Sequence, residues 1–454
     1  MDFRDRSFDH APQITTRPPG PRSQEYLAFQ AAHEGSAVSY PRGLPVALRR
    51  GKGATLEDVD GNIYIDFMAG AGVMAVGHAN PEVTAAVEEQ VKDLTHALDF
   101  PTPARQRLVK TLASILPKVL TRVFFGGPTG SDAVEAALKL AKIHTGRSPI
   151  VAFEGAYHGM TSGALSLTSG KALKDRLLPL VPDVHFVPYA YCYRCAFGKT
   201  PDSCDVQCAQ YLDHVLEDPH SGVCTPAAVI VEPIQGEGGS IVPPPAFLPK
   251  VREICDRHGV LLVCDEIQTG FCRTGKMFAI EHTATEPDIM TMSIALGGIG
   301  LPIAGIAYKE ALNTWRPGAH IGTFRGNVLA YAAGAAALQF MMECRLADHA
   351  QRLGAVMLEQ LKTLEHDSPF VGDVRGKGLM LGVELVKDRT TKEPAPDLAA
   401  MVRRFCCEHG VLIEIGGHYS NVARFLPPLV LTDDLARKGM EIFADAVSAL
   451  ASAT

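Results

Sequence analysis

Between about residues 121 and 310 the chain repeats one order: a short apolar run, a glycine-rich turn, then a stretch with helical spacing. Val123-Phe124-Phe125, Ile150-Val151-Ala152-Phe153, Ala228-Val229-Ile230-Val231 and Val260-Leu261-Leu262-Val263 are apolar without alternation. Strands buried on both faces read this way. Asp132–His144 and Ala246–His258 fit helices between them. Repeated β-then-α order predicts an α/β domain built on a mainly parallel sheet. Toward the C-terminus, Leu329–Cys344, Asp397–His409 and Asp433–Ala451 read as helices, and Leu379–Leu385 as a strand. Near the start, Asp58–Asn62 is a turn leading into the alternating run Ile63–Phe67. A helix is expected from Pro81, with Val83, Ala86, Val87 and Val91 on one face. The expected layout is an irregular arm at 1–24, a large domain at 96–345, and a smaller domain made from 25–95 and 346–454.

Composition narrows the class of partner. Of 454 residues, 46% are hydrophobic and 20% charged, so the chain has the make-up of a globular protein with a large core. The 42 glycines follow no triplet repeat, which excludes collagen. A formal net charge of −7 with no basic run argues against nucleic acid. Met1–Arg6 has no apolar region of the signal-peptide kind. The most apolar stretch, Ile294–Tyr308, is short for a membrane span and is broken by Gly297, Gly298, Gly300 and Pro302. Eleven cysteines in a chain this long suit reduced thiols and a cytoplasmic location.

Three segments carry candidate chemistry. Gly126-Gly127-Pro128-Thr129-Gly130-Ser131-Asp132-Ala133 stands at the head of a helix, where exposed N–H groups and the helix dipole suit an anion. It equally suits a glycine turn capped by Ser131 or Asp132. In Gly155-Ala156-Tyr157-His158-Gly159, an aromatic follows a buried strand and can stack on a planar ligand, or simply pack on the domain. In Val263–Gly270, Asp265 and Gln268 can address a ring nitrogen and a ring oxygen of one flat molecule, or Asp265 can cap the next turn.

Taken in order, these segments resemble the class III pyridoxal-phosphate aminotransferases. Gly127–Leu140, Glu232-Pro-Ile-Gln-Gly-Glu-Gly-Gly239, Asp265-Glu-Ile-Gln-Thr-Gly-Phe-Cys-Arg-Thr-Gly275 and Gly322-Thr-Phe-Arg-Gly-Asn327 match family segments in family order, across about 25–450. Within the class, Gly-Pro-Thr-Gly-Ser-Asp and Arg424-Phe-Leu-Pro-Pro-Leu429 are most similar to 2,4-diaminobutyrate:2-oxoglutarate aminotransferases. Ornithine, lysine and 4-aminobutyrate aminotransferases and amino-acid racemases are the related alternatives. The resemblance implies fold type I, a homodimer with active sites at its interface, and pyridoxal 5'-phosphate as cofactor. It places Thr129, Gly130 and Ser131 at the cofactor phosphate, with Thr323 reaching the phosphate in the partner subunit. Tyr157 would stack on the ring, with His158 lining the site. Asp265 would pair with the ring nitrogen and Gln268 with the phenolic oxygen. Arg424 would clamp a substrate carboxylate, and Glu232 would neutralise a competing Arg or contact an amine. An amino donor and a 2-oxo acid are the implied substrates.

One position departs from the family. Its Schiff-base lysine falls in a Ser-Lys-Ala-Leu-Gly-Gly-like segment, and here that segment reads Ser293-Ile294-Ala295-Leu296-Gly297-Gly298. Isoleucine can neither link to the cofactor nor move a proton. Three readings stand at this point: a change that disables a transaminase, a natural chain that binds the cofactor without transaminating or uses another base, or a misaligned lysine such as Lys276 or Lys309. Separately, Cys192-x2-Cys195-x8-Cys204-x3-Cys208 has ligand-like spacing, although thiols without metal are expected and the family needs none. His78 reads as structural, and Cys264 and Cys272 as core fillers.

Overall fold

The computed structural model describes residues 3–451; Met1–Asp2 of the arm and Ser452–Thr454 of the C-terminal stretch lie outside. The chain divides into two compact units, Glu82–Glu343 and the two flanking stretches taken together, up to Pro81 and from Cys344. Residues 82–95, expected in the smaller domain, group with the central unit.

The central unit is built on seven strands: β1 (Arg122–Gly127), β2 (Ile150–Phe153), β3 (Val184–Val187), β4 (Ala228–Val231), β5 (Leu261–Asp265), β6 (Ile289–Met292) and β7 (Ala304–Tyr308). Their order is β1-β7-β6-β5-β4-β2-β3. β7 is antiparallel to both neighbours, and the other pairings are parallel. β7 comes from the apolar stretch that ends at Tyr308. β2, β4, β6 and β7 are buried along their whole length, as unbroken apolar runs require. β1 departs from that expectation: it is an edge strand, with Arg122 exposed and Val123 and Phe124 half-buried.

Helix α1 (Gly130–Thr145) connects β1 to β2. Its Ala133, Val134, Ala137, Leu140 and Ala141 pack with Ile150, Ile230, Val263, Ile289 and Ile306 of the sheet. The alanines bring the helix close to the strands, and each fully buried Ile or Leu contributes about 1.5–3 kcal/mol. The helix Pro81–Gln90 buries only Val83; Val91, past its end, is exposed. Its expected apolar face is therefore only partly used within the unit.

The other unit pairs the two chain ends directly. Val411–Leu412 adds in parallel to Ile63–Asp66, beside Thr55–Asp58 and Leu48–Lys52. A second sheet holds Val371–Lys377, Met380–Asp388, Val422–Phe425 and Glu414–Gly416 in that order. The stretch 1–24, expected to be irregular, holds a 3-10 turn at Arg4–Arg6 and the start of the helix Pro21–His33; between them, Asn62 Oδ1 accepts from the backbone N–H groups of Thr15 and Thr16, and Gln13 bridges to Ile63. His78 is structural, its Nε2 lying 2.6 Å from Asp66 Oδ2.

Candidate active site

Parallel strands end on one edge of their sheet, and in α/β folds that edge is where ligands bind. In the central unit β5 ends in Asp265, and the carboxyl ends of β1, β2, β4 and β6 are followed by Thr129–Ser131, Tyr157–His158, Glu232 and Ile294. Tertiary structure thus collects residues from five separate sequence segments onto one edge.

Asp265 is the centre of the cluster. Its Oδ1 accepts from the Thr291 hydroxyl at 2.7 Å and from the Ile267 N–H at 3.1 Å, and its Oδ2 lies 2.7 Å from His158 Nδ1. A carboxylate has room for about four donors, so one acceptor position remains. Burial works against a charged His158, but the bond to Asp265 and its negative field win and raise the imidazole pKa. Thr291 escaped the sequence reading; the available signal was a lone hydroxyl inside the apolar run Ile289-Met290-Thr291-Met292.

Thr129 precedes the first turn of α1, and the Asp132 carboxylate accepts from both its N–H (2.9 Å) and its hydroxyl (2.6 Å). Thr129 is thus the N-cap of α1 and Asp132, at N3, closes its capping box, so neither Ser131 nor Asp132 is the N-cap that the sequence suggests. Ser131 Oγ accepts from the Met160 N–H at 3.1 Å. Gly130 is packed so closely that a Cβ there would lie 3.1 Å from Ile267, two residues beyond Asp265. The helix head and the carboxylate thus belong to one site. Gly159 has φ +124, and any Cβ there would run into Ser131 Oγ. Gly159→Ala is expected to cost about 1–3 kcal/mol from backbone strain, and to weaken anion binding as Ser131 is pushed aside. Urea denaturation and inorganic phosphate titration check both.

Glu232 is buried, its Oε1 accepting from the Tyr157 N–H at 3.0 Å and its Oε2 from the Gly236 N–H at 2.9 Å. Burial pushes its pKa up from 4.5 to about 7, against the lowering influence of His158. The folded chain therefore holds a proton that the unfolded chain releases, so Glu232 makes stability fall as pH rises from about 4.5 to about 7. Glu232→Gln is expected to flatten that slope, read from urea midpoints across the window. Glu266, likewise buried and raised to about 7, keeps a residual slope of the same sign.

Tyr157 is partly exposed, and burial together with Glu237 raises its phenol pKa. Gln268 Nε2 reaches Glu237 Oε1 at 3.5 Å. His158 Nε2 and Gln268 Oε1 are both buried without a protein hydrogen-bond partner. The remaining acceptor position of Asp265, near the head of α1, suits a flat polar ligand that carries a donor in its ring.

Ile294 opens a short 3-10 turn just past β6, three residues beyond the Thr291 that bonds Asp265. No amine stands at this position. Topology removes Lys309 as a misaligned lysine. Lys309 follows β7, which runs the opposite way and carries it to the far edge, where its Nζ pairs with Asp288 Oδ1 at 2.7 Å. Lys276 is exposed. Thr323 is an exposed residue in the 3-10 turn Thr323–Gly326, its carbonyl 2.8 Å from His96 Nε2. Arg424 belongs to the other unit, where it is fully buried and ion-paired to Glu414.

Cys192, Cys195, Cys204 and Cys208 line a single cavity of about 80 Å³ with Tyr189 and Phe197. Among the described residues none forms a disulfide, and no three His, Cys, Asp or Glu side chains are placed to hold a metal ion. Burial pushes the Cys208 thiol up to about 12, so the free thiol stays protonated at neutral pH. Cys264 and Cys272 are buried core residues.

The chain as a whole is similar to known proteins. A diaminobutyrate–2-oxoglutarate aminotransferase of Haemophilus influenzae is 44% identical over 412 residues, covering 89% of this chain and 90% of that protein. A leucine/methionine racemase of Thermococcus litoralis is 38% identical, covering 91% and 92%. The crystal structure of an amine transaminase from an uncultivated Pseudomonas species, in its PLP-bound form, superposes with a TM-score of 0.84 at 29% identity, covering 92% and 98%. Residues 37–447 match the aminotransferase class-III family, and the chain belongs to it.

Proposed function

We propose that the strand-end site holds pyridoxal 5'-phosphate and that the lysine-bearing form of this chain moves the ω-amino group of 2,4-diaminobutyrate to 2-oxoglutarate, giving glutamate. The observation that carries this reading is the Asp265 carboxylate, held by three donors with room for one more, beside the head of α1. The chain fits the non-covalent part of such a site and lacks its covalent anchor at Ile294. When bound, the cofactor supplies an electron sink for the carbon that gives up its proton. Asp265 keeps a proton on the ring nitrogen, and His158 fixes the orientation of Asp265. The N–H groups of Gly130 and Ser131 and the Ser131 hydroxyl address the phosphate, with Thr129 beside them. Tyr157 covers one ring face, and Gln268 meets the phenolic oxygen.

Arg424 would take a substrate carboxylate through its planar fork, and Glu232 would meet an amine. The chain as it stands would bind cofactor and substrates without turning them over. A homodimer completes the site through Thr323. It is supported by an exposed apolar surface of Val91, Leu94, Leu98, Phe100, Ile321 and Phe324 around that residue. The two stretches are joined by the Ala97 N–H to Gly326 C=O and Val328 N–H to Thr95 C=O bonds. A cytoplasmic location suits cysteines that form no disulfide among the described residues. Nucleic acid and membrane have no part in this reading. The net charge is −7, and no described helix is long and apolar enough to cross a membrane.

The test is a donor panel on the Ile294→Lys variant with 2-oxoglutarate: 2,4-diaminobutyrate, ornithine, lysine and 4-aminobutyrate. Glutamate is expected fastest from 2,4-diaminobutyrate. Faster release from another donor would reassign the substrate, and inversion of an α-carbon without glutamate would make the protein a racemase.

A further inference from the structure

We infer that Glu414 is a positioning residue for Arg424, holding its guanidinium oriented and charge-compensated for the arriving substrate carboxylate. This rests on the carboxylate-binding role proposed for Arg424. The two residues sit directly opposite one another on the antiparallel strands Glu414–Gly416 and Val422–Phe425. Arg424 has no exposed side-chain surface, and Glu414 has 10%. A guanidinium so deeply buried requires a counter-charge, and Glu414 supplies it with Oε2 2.7 Å from Nη2.

Glu414 is itself fixed. Its other oxygen, Oε1, accepts from the Tyr40 hydroxyl at 3.1 Å, on the short helix Tyr40–Gly43. The carboxylate is therefore held at both oxygens by groups from distant parts of the sequence. Gly416 restricts Arg424 from another side: a Cβ on Gly416 would lie 2.7 Å from Arg424 Nε, so the guanidinium lies against this backbone. Arg424 is thus set in one orientation before any ligand arrives. A bidentate carboxylate contact gains from such pre-organisation because little rotamer freedom is left to lose on binding. The ion pair also occupies Nη2, one of the nitrogens of a fork that has five N–H donors.

The test is calorimetric titration of glutarate, a five-carbon dicarboxylate with no reacting carbonyl, into the full chain in the presence of pyridoxal phosphate. Glu414→Gln keeps the shape and removes the charge; it is expected to weaken glutarate binding by about 10- to 100-fold, the usual value of a hydrogen bond to a charged group. Arg424→Gln is expected to weaken it at least as much, and the double variant no further than Arg424→Gln alone. Weak binding in Arg424→Gln with unchanged or tighter binding in Glu414→Gln would overturn the inference and leave the Arg424 role standing. Unchanged binding in Arg424→Gln would overturn both. Should Glu414→Gln not fold, Tyr40→Phe removes only the hydroxyl that fixes Oε1, and a smaller weakening is expected; no change there overturns the inference. With lysine restored at 294, Glu414→Gln is expected to raise KM for 2-oxoglutarate and leave kcat near its starting value, a split that a general loss of stability would not produce.

Discussion

Ile294→Lys is expected to form glutamate from 2,4-diaminobutyrate and 2-oxoglutarate, where the parent chain is expected to form none. Position 294 lies two residues past β6, which pairs in parallel with the strand that ends in Asp265, so a lysine there is expected to reach the site. General-base catalysis by a positioned amine is worth roughly 10²–10⁴ in rate, and the covalent route to amino transfer is restored in addition. Two measurements run in parallel on parent and variant: glutamate release, and covalent capture of the cofactor by borohydride read from protein mass. Capture and turnover in the variant alone mean that position 294 is the only missing piece. Capture without turnover on any donor would leave a non-catalytic binding protein as the better description. Turnover by the parent would mean that another group serves as base, and would remove Ile294 from the account.

Asp265→Asn in that lysine background is expected to lower kcat by about 10²–10³, the size seen when one pre-organised electrostatic contact is removed. Asparagine is nearly isosteric and its carbonyl oxygen can still accept from Thr291 or Ile267. It cannot carry the negative charge that favours a proton on a ring nitrogen. The loss should therefore appear in turnover with the fold intact by circular dichroism. His158 offers an internal check. Its pKa is raised by Asp265, so in Asp265→Asn the imidazole should titrate lower, visible by NMR of the ring protons. A variant that keeps its full rate would show that Asp265 acts only as a strand-end cap, the plainer of the two sequence readings.

Much of this was legible in residue order. Apolar runs without alternation announce buried strands because a sheet covered on both faces has no solvated side to mark. Helices such as Asp433–Ala451 follow from 3.6-residue spacing, and glycine turns separate the elements. Co-linear segments around Gly130, Asp265 and Arg424 carry the family likeness, and the isoleucine where that likeness leads one to expect a lysine is a single letter. These are local properties, set by a few neighbouring side chains.

Other features depend on which strand lies beside which, and no local pattern states that. Thr291 became a partner of Asp265 only because β6 and β5 pair in parallel with those residues in register. Lys309 was excluded because β7 runs against its neighbours and carries the lysine to the far edge. The partial exposure of β1 reflects its place at the sheet edge, which its apolar letters do not encode. Cys192, Cys195, Cys204 and Cys208, spread along a loop and a helix start, come to line one cavity, which their spacing alone does not state. The ionisation of Glu232 and the pairing of Arg424 with Glu414 likewise come from burial and register. Residue order was enough for many of the buried strands and helices, for the family, and for the isoleucine at 294. Tertiary structure alone decided which polar groups meet and how deeply they are buried, because desolvation and hydrogen bonding act between residues that the chain keeps far apart.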